Sequence, residues 1–101
     1  MSNTQRSMKL LREEGYFVWH CETWCAFTKR KKDLLGFADL LALRSKRTVA
    51  VQTTSRANLS ARRKKILNAE SYKHWKEAGN EVLLHGWFKK ANRWQVKTEA
   101  L

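Results

Sequence analysis

Hydrophobic and polar positions along this chain change period several times, and each change marks an element. From Arg6 to Glu14 the apolar positions Met8, Leu10 and Leu11 suit one face of a short helix, with Gly15 as its C-terminal stop. Tyr16 to Trp24 switches to a strand-like run of aromatic and β-branched residues. Phe17, Trp19 and Cys21 share one face of it, and Val18, His20 and Glu22 the other. Ala26 to Phe37 reads as a loop. Strands follow at about Ala38–Arg44 and Thr48–Thr54, separated only by Ser45, Lys46 and Arg47, which predicts a tight antiparallel hairpin. A helical pattern over Leu59–Ala78 places Leu59, Ile66, Leu67 and Trp75 near one face and stops at Gly79. Two last strands, Glu81–Lys89 and Arg93–Thr98, join through a turn at Ala91 and Asn92. The predicted order is α-β-β-β-α-β-β, a single α/β domain over residues 1–101 with a central mixed sheet flanked by helices and residues 1–5 disordered.

The hairpin carries the first functional expectation. Centred on Lys46, it pairs residues whose numbers sum to 92, which sets Asp39 opposite Thr53 and beside Gln52 and Thr54. An antiparallel first strand would bring Glu22 toward Asp39. Asp39 interrupts the apolar run Leu34–Leu43, where an ionised carboxylate is rare unless it is paired or binds a metal. The plainer alternatives are a loop cap or an arginine partner for Asp39, and a solvated strand edge for Glu22. Asp33, after a lysine-rich run, balances that charge.

Composition narrows the partner. The chain has 101 residues, and 21 Lys and Arg against 9 Asp and Glu give a formal net charge of +12. That length holds one core, and 43% hydrophobic residues with five Trp exclude a disordered basic tail. The longest apolar stretch is broken by Asp39 and cannot span a bilayer, and the N-terminus has no signal-peptide pattern. Cys21 and Cys25 on one extended strand lie about 13 Å apart, beyond the roughly 7 Å limit for a disulfide, and a cytosolic setting with reduced thiols is expected. The basic excess favours a polyanion. It gathers in two clusters: Lys29, Arg30, Lys31 and Lys32, and then Arg56, Arg62, Arg63, Lys64 and Lys65. In the first turns of a long helix the second cluster would oppose the macrodipole, and phosphate binding, aided by Asn58 and Ser60, supplies a reason for it. The bland reading is a solvated face. Trp24, Trp87 and Trp94 are candidates for base stacking or, more commonly, sheet packing. His85 is a candidate acid–base group or an ordinary strand histidine.

At these residues the chain resembles the PD-(D/E)XK nuclease superfamily, a restriction-endonuclease-like fold with an α-β-β-β-α-β core. The matching positions are Leu11-Arg12-Glu13-Glu14-Gly15-Tyr16, Gly36-Phe37-Ala38-Asp39 and Val49-Ala50-Val51-Gln52-Thr53-Thr54. More narrowly it is similar to small phage and bacterial resolvase-like proteins in which Glu-x-Trp, a basic loop, Asp-Leu-Leu-Gly-Phe-x-Asp, Val-Gln-x-Thr and His-Gly-Trp recur in order, here over residues 6–97. The resemblance implies a Mg²⁺- or Mn²⁺-dependent endonuclease acting on duplex or branched DNA, alone or as a homodimer, in the cytoplasm of a bacterial cell. It implies Asp39, Gln52 and the Thr53 carbonyl as metal ligands, with Glu22 as a supplementary one. Thr54 takes the place of the usual lysine, and Gln52 that of the usual glutamate. Two other readings are a catalytically lapsed nucleic-acid-binding module of the same fold and a phage-encoded protein that binds a host protein.

Overall fold

The computed structural model describes residues 1–21 and 23–101, except for the side chains of residues 23–25, 30 and 31. Helix α1 (Asn3–Glu13) starts earlier than Arg6 because Ser2 and Gln5 form a capping box, so residues expected to be disordered carry the helix start. The strand expected over Tyr16–Trp24 is two, β1 (Phe17–His20) and β2 (Thr23–Cys25), and β2 pairs with β3 (Arg30–Lys32), which lies where the loop Ala26–Phe37 was expected. Then come β4 (Leu40–Arg44), β5 (Arg47–Ser55), a 3₁₀ turn over Arg56–Asn58, α2 (Leu59–Leu67), α3 (Glu70–Glu77), β6 (Glu81–Lys90) and β7 (Arg93–Ala100). The domain is α/β, a five-stranded mixed sheet in the order β1-β4-β5-β6-β7 with three helices. Among the described residues only β5 and β6 run parallel, and the α2–α3 segment makes the crossover between them. Among the described residues, no helix is long and apolar enough to cross a membrane.

Two cores lie on opposite faces of the sheet. On the α1 side, Leu11, Tyr16 and Val18 pack against Leu40, Ala42, Val49 and Val51. On the other side, Phe37, Ala38, Leu59 and Ile66 cover Ala50, Val82 and Leu84. Covered on both faces, β5 is buried without a break from Val49 to Thr54, as a central strand should be. At the far edge Phe17 and Trp19 on β1 pair with Leu43 and Leu41, and Phe17, Trp19 and Leu43 are exposed.

Two differences from the predicted elements have clear causes. The expected helix over 59–78 is two helices, because Ala69 is extended (φ −76°, ψ 131°) after the Asn68 cap. The break leaves Leu67 exposed and turns Tyr72 and Trp75 onto the core, with the Trp75 indole donating to the Glu81 carbonyl at 2.7 Å. The β4–β5 turn contains two residues rather than three, with Lys46 at φ 62°, and Arg44 pairs directly with Arg47. Paired numbers therefore sum to 91, as in Leu40 with Val51. A shift of one residue moves every side chain of one strand to the opposite face relative to its partner.

Candidate functional site

That register decides what Asp39 meets. It stands opposite Gln52, not Thr53, and the two side chains share the α2 face of the sheet. The loop before Asp39 closes on itself, the Leu34 N–H donating to the Ala38 carbonyl and the Ala38 N–H returning to Leu34 at 2.8 and 2.9 Å. Leu35 and Gly36 take left-handed backbone angles to make this turn, and Phe37 is driven into the core. Asp39 is then held on both sides by backbone: its N–H donates to the Val51 carbonyl at 2.9 Å, and its carbonyl accepts from Cys21 N–H at 2.8 Å.

The Asp39 carboxylate is 8% exposed. Its Oδ2 accepts from Gln52 Nε2 at 2.9 Å and from the Thr53 backbone N–H at 3.1 Å. The same Gln52 Nε2 also donates to the Thr53 carbonyl at 2.9 Å. One nitrogen therefore sits between a carboxylate oxygen and a carbonyl oxygen, and two flanking acceptors require the amide to present its NH₂ group there. These are the oxygens that the resemblance nominates as ligands. The two 2.9 Å contacts of Gln52 Nε2 are N–H···O hydrogen bonds of ordinary length. A half-turn of the amide would present Oε1 in place of Nε2, so the donor set suits a hard divalent ion in the type of its atoms. In charge it is lean, with one carboxylate from these three residues. Among the described residues no group of three or more His, Cys, Asp or Glu could hold a metal.

The remaining predicted site residues divide. Glu22 lies outside the described residues, as do the side chains of Arg30 and Lys31 in the first basic cluster; Lys29 and Lys32 are exposed. Thr54 is buried and neutral at the position of the usual lysine. Thr53 points to the other face, where its hydroxyl lies 3.4 Å from that of Thr4 at the start of α1. Cys21 adjoins the site, but burial and then the Asp39 charge push its thiol pKa up, which keeps it protonated rather than nucleophilic.

The second basic cluster is not the helix-start patch that was expected. α2 has nine residues, so Lys64 and Lys65 occupy its last turn, where the macrodipole favours cations. Arg63 is held by Glu99 on β7 through two hydrogen bonds of 2.6 and 2.7 Å. Asn58 caps α2 without a side-chain hydrogen bond, and Asn58 and Ser60 are both exposed. Arg62 is half-buried. Arg56 stands apart, its guanidinium 4.0 Å above the Phe88 ring.

A buried polar group on the opposite face was not foreseen. Ser7 Oγ lies 2.8 Å from His85 Nδ1 and accepts from Trp87 Nε1 at 2.8 Å. Ser7 is 0% exposed and His85 1%. With the serine hydroxyl donating to Nδ1, the imidazole is neutral, and burial lowers its pKa to about 4. The sequence cue was the i, i+4 spacing of Ser7 with the core residue Leu11, which puts a hydroxyl on the buried face of α1. His85 is a structural histidine rather than an acid–base catalyst at pH 7. Its neighbour Gly86 has a steric cause: a Cβ there would lie 2.5–2.7 Å from the Leu59 side chain.

The fold and site together define a small basic α/β domain with one buried carboxylate–amide–carbonyl cluster near the end of the central strand. The chain matches no family model and no curated protein.

Proposed function

We propose that the protein is a divalent-metal-dependent nuclease of the PD-(D/E)XK type that hydrolyses phosphodiester bonds in DNA. The carrying observation is the arrangement at Gln52, whose amide nitrogen is 2.9 Å from both Asp39 Oδ2 and the Thr53 carbonyl oxygen. With the amide turned by a half-turn, its Oε1 would join those two oxygens in a donor set of the hard kind that Mg²⁺ or Mn²⁺ takes. In support stand the element order, the antiparallel hairpin followed by a parallel crossover, and the net charge of +12.

Asp39, the Gln52 amide oxygen and the Thr53 carbonyl would hold the ion. The ion would supply an activated water and stabilise the charge developing on the phosphate. The chain's own part is positional. The Thr53 N–H fixes the orientation of the Asp39 carboxylate, the closed 34–38 loop fixes its backbone, and burial on both faces of β5 keeps Gln52 and Thr53 in place.

The same observation favours a second reading. The Gln52 NH₂ already donates to both oxygens, so the cluster also suits a domain that binds nucleic acid without cutting it.

Mn²⁺ binding, followed by calorimetry and electron paramagnetic resonance, separates the two when combined with nicking of supercoiled and branched DNA. On the nuclease reading the wild type binds Mn²⁺ and nicks, and Asp39→Ala abolishes both while DNA affinity stays within about twofold, since phosphate contacts carry most affinity. Gln52→Glu tightens Mn²⁺ by restoring a second carboxylate. If the wild type neither binds Mn²⁺ nor cuts at saturating protein, and only Gln52→Glu gains the metal, the nuclease reading falls and the binding module stands.

A further inference from the structure

We infer that a groove at the end of the sheet, between the start of α1 and the β6–β7 turn, binds unpaired nucleotides of single-stranded nucleic acid. It uses Phe88 and Trp94 as stacking surfaces, and Arg6, Arg56 and Lys89 as phosphate partners. A cavity of about 450 Å³ opens there between Asn3, the Ser55–Ala57 segment, Phe88, Lys89 and Trp94. A second, of about 270 Å³, lies on the α1 side of Trp94 and is lined by Arg6 and Lys9 as well. Trp87 and Trp94 line both, so the two form a continuous track.

The exposed Trp94 ring and the half-buried Phe88 ring are each matched to a cation on one face. The Arg6 guanidinium lies 3.5 Å from the centroid of Trp94, and Lys89 Nζ lies 5.9 Å from it. Arg56 covers Phe88 at 4.0 Å. Arg6 is further oriented by a 2.8 Å hydrogen bond to Asn3 Oδ1. Neither Arg6 nor Arg56 meets a carboxylate among the described residues, whereas Arg47 and Arg63 are both spent on glutamates. Trp94 is 46% exposed on an edge strand with Arg6 and Lys89 beside its ring, an arrangement suited to a ligand that is planar and anionic at once, although Glu13 also lines the α1 side of the track.

The chemistry selects among polyanions. An acidic peptide would use the cations and leave the rings idle. A duplex hides its base faces, so both rings would stay unused against it. Unpaired nucleotides use both features: bases stack on aromatic faces with little sequence preference, and phosphates meet the guanidinium groups.

The inference stands apart from hydrolysis, so its test excludes metal. Fluorescence anisotropy of a labelled oligothymidylate, in EDTA and with full-length protein, is compared with a duplex of equal phosphate count and with polyglutamate. The single strand should bind tightest. Trp94→Ala should weaken it by roughly tenfold; Trp94→Phe should restore most of that, and Arg56→Gln should lower the salt dependence by about one phosphate contact. Because EDTA removes any divalent ion from the assay, a failure of the nuclease reading leaves this result intact. Equal or tighter binding of the duplex or of polyglutamate would overturn the inference. So would an unchanged single-strand affinity in Trp94→Ala, whose exposed edge-strand position makes a folding defect simple to check by circular dichroism.

Discussion

Acid should unfold this protein through His85. Its imidazole is buried against Ser7 and Trp87, and burial lowers its pKa from the ordinary 6.5 to about 4. Between those two values the unfolded chain binds a proton that the folded chain refuses. The stabilisation is therefore complete above pH 6.5 and is lost progressively as pH falls toward 4. One pKa unit corresponds to about 1.4 kcal/mol, so the full contribution is about 3 kcal/mol. Of this, about 2 kcal/mol should disappear between pH 7.5 and pH 5, before most carboxylates titrate. Urea unfolding at half-unit pH intervals measures it. The comparison is His85→Asn, which keeps an acceptor near the Nδ1 position for Ser7 but cannot take up a proton. The variant is less stable at neutral pH because it leaves a cavity, yet its stability should fall with a slope about one proton shallower than the wild type. Parallel slopes for the two proteins from pH 7.5 to pH 5 would refute the assignment, whatever their difference in absolute stability.

Two other substitutions probe the packing around the same strand. Ser7→Ala strips the partner from both the Trp87 indole N–H and His85 Nδ1 in a buried site, and should cost about 2–4 kcal/mol by urea midpoint; adding Trp87→Phe should recover part of it, and a loss below about 1 kcal/mol would mean the hydroxyl is dispensable. Gly86→Ala places a methyl group within 2.7 Å of Leu59 and should cost about 1–3 kcal/mol. In a Leu59→Ala background that cost should shrink, and strictly additive effects would count against the contact.

The pattern of apolar positions was enough to order the elements and to find the β6–β7 hairpin. Its turn at Ala91 and Asn92 has both residues at positive φ, as a two-residue hairpin turn demands. The break at Asn68 and Ala69 was not legible, because the flanking segments each keep helical spacing and only the packing of Tyr72 and Trp75 against the sheet rewards the bend. Basic residues were countable from the sequence, but their roles were not. Lys64 and Lys65 became C-terminal residues of a short helix, and Arg63 found Glu99 across 36 positions.

What the sequence determined by itself was local: period, turn residues, net charge, and the anomaly of a carboxylate inside Leu34–Leu43. Those properties depend on neighbours within a few residues, which the linear order already supplies. Tertiary structure decided which groups touch. A one-residue difference in the length of the Ser45–Lys46 turn set Asp39 against Gln52 rather than Thr53. The amide that stands between two acceptors follows from that register. Ser7 reaches His85 across 78 positions, and Arg6 reaches Trp94 only when the start of α1 comes beside β7. Such contacts arise from the closure of long loops, whose entropic cost is repaid only by the whole packed core and so leaves no signature in any short window of the chain.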